Sequence, residues 1–190
     1  MKLWTYQYAE VYHNIIKNGF HRVSEEFVDD EFKPNYDWLV KKMEECIGAP
    51  PDGVKYPIWA YARRDGIDGK APSFDDEEYG NNGDTIVLLE LDIPENRILL
   101  SDMNAWDVVL LNGYYNPDDN TDEKWDARHA WLHALPQGER QKVKESSWDK
   151  IFEIVCFDPN DIFYGRGEYV QATFWEILAE DIVSVKFCTI

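Results

Sequence analysis

His129 and His133 stand four residues apart in a stretch of helical spacing, which puts two imidazoles on one face as a metal ion would require. Ala130 follows His129, so the zinc-protease pattern is not met, although Glu123 and Asp126 lie within reach as oxygen donors. Histidines in so acidic a chain fall near carboxylates by chance, and the reading assigns no metal. A GxSxG elbow and a GxxxxGK[ST] phosphate loop are both missing. Gly165-Arg166-Gly167 is too short for a dinucleotide fingerprint, and no helix is expected behind it. Cys46, Cys156 and Cys188 form no CxxC pair; each reads as a small buried hydrophobe, and an odd count without a framework fits a reducing compartment.

What remains is a pattern spread over three β-like segments. The first is Leu3-Trp4-Thr5-Tyr6-Gln7, running directly into a helix that Gly19 closes. The second is Tyr56–Tyr61 (YPIWAY), a strand whose rings offer flat apolar faces. The third is Tyr169–Ile177, with Asp181–Val185 as a last strand. The stretch LWTYQYAEVYHNIIKNGF resembles the opening of the DarT-type ADP-ribosyltransferases, in which a short strand carries an NAD-contacting residue and a helix runs to a glycine. Those enzymes similarly end on a strand bearing the catalytic glutamate, with one more strand behind it. From its MKLWT start to the QATFWEI near its end, the chain also looks like an uncharacterised bacterial domain family whose label carries no activity.

The resemblance implies NAD as substrate, with Glu176 as first choice for the acid and Glu168 as second. It implies Thr5, Trp59, Tyr61 and Gln171 as contacts to NAD. Cleaving the nicotinamide–ribose bond builds positive charge on the sugar, which a fixed carboxylate stabilises. One departure stands out: the acid of the DarT-type pattern falls two residues after the Gln of QA, and here that residue is Thr173. Strand alternation sets Gln171, Thr173 and Trp175 on one face and both glutamates on the other. Two alternatives to an active transferase follow, a degenerate transferase fold kept for binding and a non-catalytic acidic binding or inhibitor protein.

The elements that must position these residues read as α+β. Expected are a strand at Leu3–Gln7 and a helix with Val11, Ile15 and Ile16 on one face. A second helix, Tyr36–Ile47, has Leu39, Val40, Met43 and Ile47 as its apolar stripe. After the YPIWAY strand, Asp65–Gly83 reads as a long surface loop. Thr85–Ile93 is the strongest strand, and it turns at Pro94 into Arg97–Leu100 as a hairpin or meander. Helices follow at Trp106–Leu111 (capped by Ser101, Asp102 or Asn104), Trp125–Leu135 and Ser147–Val155, then strands at Glu168–Leu178 and Ile182–Cys188. The expected architecture is one domain over 1–190, a split mixed or antiparallel sheet with packed helices, the terminal strands pairing in its middle.

Composition sets the outer limits. With 190 residues, 44% hydrophobic and 15% aromatic, the chain can bury a core without disulfides. Its net charge of −18 makes general nucleic-acid coating unfavourable, though Arg63-Arg64 sit together. Residues 65–130 carry 17 acids against 4 bases, in runs such as Asp75-Asp76-Glu77-Glu78 and Asp118-Asp119. Such runs read first as solvated loops and otherwise as a face for a basic protein partner. No segment approaches the length of a membrane span, and the aromatic amino terminus lacks a signal-peptide pattern, so the expected location is the cytoplasm with no membrane partner.

Overall fold

In the computed structural model, which describes residues 1–25, 28–75, 80–81, 83–160 and 164–190, a seven-stranded sheet carries the site. Its strands are β1 (Lys2–Tyr8), β3 (Ile58–Arg64), β4 (Ile67–Asp68), β5 (Thr85–Asp92), β6 (Leu99–Asp102), β7 (Val170–Phe174) and β9 (Ile182–Thr189). The order is β6-β7-β3-β1-β5-β9, with β4 hairpinned onto β3. Each of these pairings is antiparallel. A separate ribbon pairs β2 (Phe20–His21) with β8 (Ile177–Leu178). Five α-helices accompany them among the described residues: α1 (Ala9–Asn18), α2 (Lys33–Ile47), α3 (Met103–Leu110), α4 (Asp122–Ala134) and α5 (Gln137–Trp148).

The three segments singled out from the sequence are neighbours, since β3 lies between β1 and β7. The terminal strands do not pair. β1 is internal and β9 is an edge, with β5 between them. Nor do β5 and β6 form a hairpin, because after the turn at Glu95–Arg97 the chain crosses to the opposite edge and pairs with β7. The Arg97 guanidinium anchors that crossing, forking onto Asp181 at 2.8 and 3.0 Å, and Asp181 also accepts from the Leu178 N–H.

Local chemistry explains the helix ends. Gly19 adopts φ 87° and donates its N–H to the Ile15 carbonyl, which stops α1. Pro34 sits in the first turn of α2, where its missing N–H is harmless. Asp102 caps α3 through the Ala105 N–H, and its other oxygen accepts from the Gly167 N–H at 2.7 Å, so this buried carboxylate is fully engaged. Pro136, expected only to break a helix, immediately precedes α5, and its carbonyl receives the Glu139 and Arg140 N–H groups. The helix expected at Ser147–Val155 lies earlier in the chain: α5 ends at Trp148, and a single 3-10 turn, Asp149–Phe152, follows. Burying only Ser147 and Trp148, α5 has no apolar stripe for the sequence to show.

The two faces of the sheet are covered differently. Beneath one, Leu3, Val87, Leu89, Ala60, Ala172 and Phe174 pack with Ile15 of α1. On the other, Trp4, Tyr6, Ile86 and Leu88 form a smaller cluster. The first part of the expected surface loop closes over that cluster: Trp4 Nε1 donates to the Gly69 carbonyl and the Tyr6 hydroxyl to that of Ser73. Toward β6, helices α2, α3 and α5 bring Leu39, Met43, Trp106, Val109 and Trp148 onto Leu99 and Trp175. The three cysteines are free, and contrary to expectation Cys46 and Cys156 are exposed and Cys188 half-buried. Cys46 and Cys188 stand near the ends of α2 and β9, and Cys156 lies in the irregular stretch before β7, all outside the packed layers.

Candidate functional site

The sheet splits between β1 and β3. Seven successive residues of β1 pair with β5, whereas its register with β3 holds only at Trp4↔Tyr61. Beyond that rung the strands part, and a cleft of about 380 Å³ opens between them, at the small end of the range for ligand sites. One strap crosses the split, the Thr5 hydroxyl donating to the Trp59 carbonyl at 2.9 Å while it accepts from the Gln7 amide at 3.1 Å.

Thr5, Trp59, Tyr61 and Gln171, the four residues expected to contact a cofactor, all line this cleft. Gln7, His21 and Tyr36 join them, and sequence reasoning missed all three. Gln7 was legible as the strand partner of Thr5 by alternation, but His21 and Tyr36 reach the cleft only through the tertiary course of β2 and α2. The Trp59 ring is held on two sides, with Trp106 at 5.2 Å and Tyr36 at 6.1 Å between centroids. The Gln171 amide donates to Ser101 Oγ at 3.2 Å, which fixes its plane. Burial pushes the Tyr36 phenol above its ordinary pKa, with the Trp59 indole opposing, and burial lowers the His21 imidazole. Both are therefore neutral near pH 7, each able to donate and accept a hydrogen bond.

Glu176 and Glu168 do not line the cleft. Glu176 is half-buried and bound by the Arg22 guanidinium through Nε and Nη2, both at 2.9 Å. His21 and Val23 line the cleft while Arg22, between them, is turned to this ion pair. Glu168 precedes β7, and its carbonyl receives the Gly66 N–H beside the β3–β4 turn. Thr173, at the position where the DarT-type acid falls, is buried and donates to the Leu99 carbonyl at 3.1 Å. No Asp, Glu, Lys or Arg is among the described residues lining the cleft.

The chain matches the family described as domain of unknown function DUF3841 over residues 2–183. It belongs to that family. Neither a curated protein nor a solved structure matches it significantly. In this DUF3841 chain the adjacent arginines that had hinted at nucleic acid are used internally. Arg63 binds Asp68 at 2.6 Å and the Val155 carbonyl at 2.7 Å, while buried Arg64 lies over the Tyr61 ring. Gly167 of the Gly165-Arg166-Gly167 turn has φ 74° and would place a Cβ 2.4 Å from the Val155 carbonyl, so its glycine is a packing requirement. Of the acidic runs, residues 76–78 lie outside the described residues and Asp118 is exposed, but Asp119, expected in a solvated loop, is buried against Arg128 at 3.1 Å. No described helix is long and apolar enough to cross a membrane.

Proposed function

We propose that this DUF3841 protein binds the nicotinamide–ribose half of NAD in the split of its sheet and holds it without transferring ADP-ribose. The observation that carries the reading is the convergence of Thr5, Trp59, Tyr61 and Gln171 on one cleft, from the three adjacent strands β1, β3 and β7. A primary carboxamide donates and accepts in one plane, as do the Gln7 and Gln171 side chains. The rings of Trp59 and Tyr61 supply faces for a flat heterocycle. The π faces of Trp59 and Tyr61 attract the positively charged pyridinium of the nicotinamide riboside portion, and a lining without Lys or Arg among its described residues leaves the diphosphate to the solvent side. Transfer would need a carboxylate beside the sugar as positive charge develops, and the cleft residues provide hydroxyls, amides and an imidazole instead. The reading is therefore the degenerate transferase-like one.

Calorimetric titration with NAD, nicotinamide riboside and ADP-ribose tests it. NAD and nicotinamide riboside should bind with similar affinity and ADP-ribose much more weakly, with no release of nicotinamide on incubation. Absence of binding by folded protein at millimolar NAD overturns the proposal. Steady NAD cleavage that Glu176→Gln abolishes would restore the transferase reading.

A further inference from the structure

A second cavity of about 380 Å³ lies where α4 and α5 meet the end of α3. It is basic, in a chain whose net charge is −18. Arg128, Arg140 and Lys144 line it together with His129 and His133, and Asp119 is the one carboxylate among its described residues. Asp119 is already engaged by Arg128 Nε at 3.1 Å. Arg140 and Lys144 are one turn apart on α5, and His129 and His133 one turn apart on α4, with ring centroids separated by 4.4 Å.

The donors there are unevenly satisfied. Arg140 Nη2 donates to the His133 and Leu135 carbonyls at 2.8 and 3.1 Å, which pins the guanidinium to the carboxyl end of α4. Its Nε is buried and has no partner among the described residues. Lys144 forms no ion pair among them either. Like charges crowd one another as a result. His133 is held below its ordinary pKa, first by His129 and then by burial, Arg140 and Lys144; Lys144 is lowered by burial and then by Arg140. A divalent cation on the His129–His133 pair would face three positive neighbours, whereas an anion would relieve them.

We propose that this pocket is a binding site for a phosphate dianion, with Arg140 and Lys144 supplying charge and the His129–His133 pair supplying further donors. Several N–H donors converging on one anion give the short, charge-assisted bonds that phosphate oxygens accept. Trp125, 46% exposed and stacked by one face on the His129 ring at 4.9 Å, is a ring that a base could extend, so the dianion is either free phosphate or the monoester of a nucleotide.

Titration calorimetry of the full chain at pH 7, with ionic strength held constant by chloride, tests the site. Inorganic phosphate should bind, and Lys144→Ala should weaken it by about tenfold or more, the scale of a lost charged hydrogen bond. Lys144→Arg should restore most of the affinity, which a merely structural role would not predict. AMP binding more tightly than ribose 5-phosphate assigns the site to a nucleotide, and equal binding assigns it to the phosphate group alone. The inference is overturned if phosphate does not bind, if Lys144→Ala binds phosphate like the parent, or if zinc binds there and phosphate does not compete. Lys144→Ala should leave nicotinamide riboside binding at the sheet split unchanged, so the two readings fail separately.

Discussion

Replacing Thr5 by valine removes the strap across the split sheet with almost no change of shape. The Thr5 hydroxyl, on a residue 4% exposed, donates to the Trp59 carbonyl at 2.9 Å and accepts from the Gln7 amide at 3.1 Å. Each bond contributes about 1 kcal/mol net, and the carbonyl left without its donor adds to that loss where water does not replace it. The expected loss is about 2 kcal/mol, or roughly 4–8 °C in Tm for a chain of this size. Thr5→Ser keeps the hydroxyl and gives up one methyl group, about 0.8 kcal/mol at most by area. Urea denaturation followed by tryptophan fluorescence measures both, and the order of stability should be parent, serine, valine. If valine lies within about 0.5 kcal/mol of the parent, or serine is the weaker variant, the hydroxyl is not holding the two strands together.

Four further outcomes follow from the geometry. Asp181→Ala removes the acceptor of both the Arg97 fork and the Leu178 N–H, and should cost about 3–5 kcal/mol in urea denaturation. Gly167→Ala drives a Cβ into the Val155 carbonyl at positive φ, and should lower stability by about 2 kcal/mol or more, read as a drop in Tm. Burial holds the His21 pKa below 6.5, so below that value the unfolded chain takes up a proton that the folded chain resists; stability should fall as pH drops from 6.5 through the lowered pKa, and His21→Asn should shrink that fall in denaturant titrations at a series of pH values. Gln171→Glu puts a carboxylate into the cleft beside Ser101, and nicotinamide release from NAD should then be detectable by chromatography where the parent gives none.

Much of the site was readable because strands announce themselves by composition and alternation. Thr5, Trp59, Tyr61 and Gln171 lie on three short β-segments rich in aromatic and β-branched residues, and such segments survive as strands whatever their order in the sheet. The order is less legible, since the placement of β6 beside β7 depends on long-range contacts such as the Arg97–Asp181 fork. The acids were harder still. Alternation correctly parts Gln171 from Ala172, but Glu176 follows the end of β7, and its direction is set by Arg22, more than 150 residues away in the chain. The bounds of helix α5 were hidden for an opposite reason: it is polar nearly all round, so its periodicity carries no signal.

A sheet whose halves share one rung has a mechanical consequence. On the β1 side the long β1–β5–β9 pairings form one block, and β3, β7 and β6 form another, stitched by the Trp4↔Tyr61 pair, the Thr5 strap and the apolar layer beneath. Amide protons flanking the gap should exchange through small openings that leave each block intact, well before global unfolding. A guest wedged in the gap would weld the blocks, slowing that exchange on both banks together and turning occupancy into stiffness.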